Sequence, residues 1–63
     1  MLEQSMLAEQ FRNLLAAERQ AENACAELAE QVDDPQLKER LQQFCREKQR
    51  HVELAERLLE IVE

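Results

Sequence analysis

The chain contains no glycine, no tryptophan and no tyrosine, and Pro35 is its only proline. Without glycine, no residue adopts positive φ at little cost, so a turn-rich β fold is excluded. Basic charge is also short: 8 Lys and Arg stand against 14 Asp and Glu, for a formal net charge of −6. Nucleic-acid binders draw most of their affinity from basic contacts to phosphate, so this balance points away from nucleic acid and toward protein partners. No uncharged run approaches the ~18 residues that a membrane span requires. The stretch Met1 to Gln10 carries Glu3 and Glu9 and lacks the basic-then-apolar order of a signal peptide. A cytoplasmic protein is expected. Cysteine is sparse as well. Cys25 and Cys45 are too few for a disulfide framework, and in a reducing compartment they are expected to be free thiols acting as small apolar side chains.

What is present is helix-forming. Ala, Leu, Glu, Gln and Arg dominate a chain of 63 residues, which is short enough to imply one domain. A core this small rarely suffices without a disulfide, a metal or self-association. The helical pattern breaks once, at Val32-Asp33-Asp34-Pro35. Asp33 or Asp34 can cap a helix with its carboxylate, and Pro35 suits a first turn, where its missing N–H costs nothing. If Asp33 caps, Gln36 stands at the capping-box position. The reading is helix 2–32, turn 33–34 and helix 35–62 within a single domain 1–63, the short turn returning the second helix antiparallel to the first.

Steps of four and three trace a seam on each helix. The first carries Leu7, Phe11, Leu14, Glu18, Ala21, Cys25, Leu28 and Val32. The second carries Leu37, Leu41, Phe44, Lys48, His51, Ala55, Leu58 and Val62. Folded back from the turn, Val32 meets Leu37, Cys25 meets Phe44, Glu18 meets His51 and Leu7 meets Val62. A second apolar stripe of Ala8, Leu15, Cys45, Val52 and Leu59 flanks the seam. Two helices alone would leave that stripe wet, whereas a homodimer or higher homo-oligomer forming a four-helix bundle would bury it.

The seam is apolar except at Glu18, Lys48 and His51, which lie near mid-helix. Lone charges are costly to bury, so these groups require one another or a metal. As a core polar layer, Glu18 pairs with Lys48 and His51 bonds to the carboxylate, fixing register at some expense of stability. As a metal site, two copies each of Glu18 and His51 supply carboxylate and imidazole from facing helices, ligands suited to iron or manganese. Lys48 opposes this reading, because an ammonium has no lone pair to donate. Glu47 is four residues before His51 and Glu22 one turn after Glu18, so both enter the candidate ligand set, although each is expected on a flank of its helix.

The stretch Ala17-Glu18-Arg19-Gln20-Ala21-Glu22-Asn23-Ala24 resembles the first metal-ligand helix of rubrerythrin and related ferritin-like proteins. Leu41-Gln42-Gln43-Phe44-Cys45-Arg46-Glu47-Lys48-Gln49-Arg50-His51 is similar to the second, and the short Asp-Pro turn also fits. The likeness covers nearly the whole chain. It implies a Glu from the first helix, at Glu18, and a Glu-x-x-His from the second, ending at His51. Lys48 occupies the intervening Glu position, and Cys25 stands where rubrerythrins commonly have Tyr. A single hairpin that dimerises is similar to the small encapsulin-associated ferritins, which implies a di-iron centre between protomers with ferroxidase or peroxide-reducing activity. Lys48 sets that activity aside unless a metal site survives.

RNA-binding hairpin dimers share this size, but helix one offers only Arg12 and Arg19 as cations against six glutamates. Covalent catalysis by Cys25 and His51 lacks a third, orienting group. An acidic surface could also dock a basic protein partner. The sequence therefore describes an all-α, antiparallel helical hairpin that dimerises into a ferritin-like four-helix bundle. Its di-metal site is altered or lost, and it is not expected to be an enzyme. The alternative is a non-enzymatic interaction bundle with a buried Glu-Lys-His layer and no metal.

Overall fold

A computed structural model describes residues 3–63. Two α-helices account for nearly all of them: α1 runs Gln4–Gln31 and α2 runs Pro35–Val62. The expected start of the first helix at residue 2 lies outside the described residues. Its far end falls at Gln31, because Val32 has already turned to extended backbone. The helices pack against each other along their whole length in a rod of 48 × 16 × 13 Å.

Local chemistry accounts for the turn. Asp34, in extended backbone, is the N-cap of α2, and its carboxylate accepts from the Gln36 N–H at 3.0 Å. Pro35 follows at the first helical position. Since Asp34 caps rather than Asp33, the third helical residue is Leu37, whose apolar side chain cannot close a capping box. At the opposite end of the rod, the Gln4 side-chain amide donates to the Val62 carbonyl at 2.7 Å. This bond answers one of the carbonyls left free at the end of a helix and ties the open end of the hairpin together.

The helices meet along a seam that overlaps the expected one and is turned toward its flanking stripe. The buried residues are Ala8, Leu15, Cys25 and Ala29 of α1 with Val52 and Ala55 of α2. Leu15, Val52 and Ala55 form the central cluster, with Leu59 against it. Most of the presumed flanking stripe is therefore the inside of the hairpin. Leu14, Leu28, Leu37 and Phe44, expected within, are each 42–50% exposed. Except for His51, the rest of the expected seam keeps inward-facing places: Cys25 and Ala55 are buried, and Glu18, Lys48, Leu7, Phe11, Ala21, Val32, Leu41, Leu58 and Val62 are half-buried. One residue along a helix is a rotation of about 100°. In an antiparallel pair that rotation carries the displaced residues of both helices to the same side. The hairpin thus presents an apolar face of Leu14, Leu28, Leu37 and Phe44, and Leu54 and Ile61 are exposed about 80–100° farther round α2.

Candidate functional site

Glu18, Lys48 and His51 converge at mid-rod. One oxygen of Glu18, Oε2, lies 3.5 Å from Lys48 Nζ and 3.4 Å from His51 Nδ1. That oxygen is sealed from solvent and has no hydrogen-bond partner, so both approaches are close in distance but not aligned as hydrogen bonds. Contact between the carboxylate and the Lys48 ammonium is thus chiefly Coulombic. The Glu18 and Lys48 side chains are 20% and 22% exposed. His51 is 54% exposed, which corrects the expectation of a fully buried layer. The reason is the rotated seam: His51 shares the outward face with Phe44 and Leu54, and only its ring edge reaches back to Glu18.

Lys48 has a further partner. Its ammonium stands 5.5 Å from the centroid of the Phe44 ring. The ring's negative face attracts a cation at this range. The ammonium therefore lies between a sealed carboxylate and an aromatic face, held from both sides. Phe44 was assigned only a packing role from sequence; its spacing of four residues before Lys48 was the available signal.

The other candidates stand apart. Glu47 is exposed and Glu22 half-buried. Among the described residues, no three His, Cys, Asp or Glu side chains come together as a group able to hold a metal ion. One hairpin thus offers Glu18 and His51 as donors, and the cation already beside them is Lys48. These residues do not fit a di-metal centre within a single hairpin.

Nearer the loop, two turns after Glu18 on α1 and one turn before Lys48 on α2, Cys25 and Cys45 are joined by a disulfide, with Cα atoms 5.7 Å apart. Free thiols were expected, with Cys25 opposite Phe44. The rotation of α2 turns Phe44 outward and brings Cys45 into its place. Farther along the rod Arg19 and Glu56 pair at 3.3 Å, but both are about half exposed, and such surface pairs contribute little.

The domain of unknown function DUF892 matches residues 3–63, essentially the whole chain. The chain belongs to this family. No curated protein and no solved structure matches it. DUF892 is a family of ferritin-like fold, and the antiparallel hairpin with a mid-rod Glu and His is consistent with half of such a bundle. Among the described residues of this DUF892 chain, no helix is long and apolar enough to cross a membrane.

Proposed function

We propose that this protein is a diverged ferritin-like, rubrerythrin-like bundle protein that assembles as a homodimer and in which a lysine charge has taken the place of a metal ion. The observation that carries the reading is Lys48 Nζ, 3.5 Å from the sealed Glu18 oxygen and backed by the Phe44 ring. A carboxylate oxygen with no hydrogen-bond partner is the kind of atom that a metal would ligate. Here a fixed cation offsets its charge without a coordination bond. Family membership and the placement of Glu18 and His51 support the ancestry. Lys48 at the ligand position supports loss of the activity that goes with it.

Self-association is part of the proposal because the outward apolar face is otherwise wet, and His51 lies on it. A second copy laid on that face would bring two Glu18–His51 pairs toward one interior. We place the protein in the cytoplasm, where disulfides exchange with small thiols.

The test is metal uptake by the parent and by Lys48→Glu, each purified without chelator and titrated with ferrous or manganous ion. The parent is expected to bind neither ion above background. Lys48→Glu restores a carboxylate three residues before His51 and is expected to bind about two ions per dimer, with His51→Ala abolishing the gain. Tight binding by the parent would overturn the replacement of metal by lysine. Failure of a folded Lys48→Glu dimer to bind would overturn the ancestry.

A further inference from the structure

The side of the rod opposite the apolar face carries a shallow groove of ≈ 570 Å³, lined by Ala26, Ala29, Glu30, Lys38, Gln42, Cys45 and Arg46. Its position matters in two ways. It remains open when a second copy covers Leu14, Leu28, Leu37 and Phe44, and one sulfur of the disulfide forms part of its wall. The two sulfurs differ in access. Cys25 is 6% exposed, packed inside the hairpin, whereas Cys45 is partly exposed and lines the groove. A nucleophile arriving from solvent therefore reaches Cys45 first.

The charges around Cys45 select among nucleophiles. Lys38 and Arg46 are cationic, and Glu30 is anionic. A small peptide thiol with two carboxylates and one ammonium carries the complementary set. We infer that Cys45 is a thiol–disulfide exchange site for a small anionic peptide thiol, with Cys25 as the buried leaving group. In the forward step the thiolate sulfur attacks Cys45 Sγ, forming a mixed disulfide and breaking the Cys25–Cys45 bond. The electron pair of that bond stays on Cys25, which takes up the proton that the incoming thiol lost to solvent. The structure holds an acceptor for the new S–H, since Cys25 Sγ is 3.5 Å from the Leu41 carbonyl. A second thiol then attacks the mixed disulfide, leaving Cys45 as a thiol and releasing the small-molecule disulfide. Two electrons pass from two thiols to the protein, and the reverse reaction uses the small-molecule disulfide as oxidant. Exchange rates depend on which sulfur is accessible and on local charge, and both favour Cys45.

The experiment uses the full oxidised chain and reduced glutathione as probe, with acid quenching, alkylation and peptide mapping by mass spectrometry. The expected first product is one glutathione on Cys45 with Cys25 as the free thiol. Lys38→Gln combined with Arg46→Gln is expected to slow the reaction about three- to fivefold, while Glu30→Gln quickens it by a similar factor, as unit charges a few Å away in water imply. 2-Mercaptoethanol attacks as a thiolate with one negative charge against the net two of the glutathione thiolate, and is expected to show the same directions with clearly smaller factors. Because the two sets of substitutions act in opposite directions, loss of structure cannot mimic the pattern, and circular dichroism checks that each variant stays helical. Adducts on Cys25, no adduct at all, or equal effects on glutathione and 2-mercaptoethanol would each overturn the assignment.

Discussion

A carboxylate oxygen withdrawn from water must have its charge answered nearby. At Glu18 the answer comes from Lys48, with His51 as a second and more exposed neighbour. Their side chains remain about one-fifth exposed, so the pair is worth less than a fully buried one, and its two members are worth more together than singly. Lys48→Met alone is expected to destabilise by ~1–2 kcal/mol, because it leaves Glu18 Oε2 without its cation. Lys48→Met combined with Glu18→Leu removes both charges and is expected to lie within ~1 kcal/mol of the parent. Urea unfolding at one fixed protein concentration measures both, and a harmless Lys48→Met would show that the cluster does not organise mid-rod. The cluster could be read from spacing because Glu18 and Lys48 sit where the two candidate stripes overlap, so a rotation of the helices leaves them inside. His51 belongs to only one stripe, and that is why its exposure was not legible.

The helices themselves were legible, since their composition, the single Pro35 and an aspartate cap left little alternative. Which faces meet was not. Apolar residues occur at three positions of each seven-residue repeat, enough for two seams, and stepping by four and three finds one of them without ranking it. The fully buried positions lie between the two stripes and carry mostly small side chains: Ala8, Cys25, Ala29 and Ala55 let the helices approach closely, and Leu15 with Val52 fills the middle. Larger groups such as Phe44 and Leu37 remain outside. The disulfide was hidden by the same ambiguity, since Cys45 pairs with Cys25 only under this rotation. It closes a loop with a sequence separation of 20 residues around the turn. Constraining an unfolded chain by a loop of that size stabilises the fold by ~3 kcal/mol. Reduction, or Cys45→Ser, is expected to lower stability by about that amount, read by urea unfolding with and without reductant. An unchanged midpoint on reduction would mean that the helical seam alone sets the stability of the hairpin.

One hairpin by itself is a poor solution for a chain of 63 residues. Among the described residues its buried core comprises six, and three of them are alanine. Leu14, Leu28, Leu37, Phe44, Leu54 and Ile61 are meanwhile 42–73% exposed. Contiguous apolar surface of this kind marks an association face. In the proposed homodimer a two-fold axis across the rod would set leucines against leucines and leave the acidic outer surface in water. Each fully buried Leu or Phe contributes roughly 1.5–3 kcal/mol, and in a symmetric dimer every residue counts twice. Leu28→Gln with Phe44→Gln is therefore expected to dissociate the proposed dimer and, with so small a core left, to reduce helicity as well. Gln42→Ala, on the groove side, is expected to leave the assembly intact. Light scattering after size exclusion reads both, against a chain mass of 7.4 kDa. A parent that runs as a folded monomer at micromolar concentration, or a Leu28→Gln, Phe44→Gln variant that stays dimeric, would remove this face from the assembly and with it the shared interior on which the proposed ancestry of Glu18 and His51 depends.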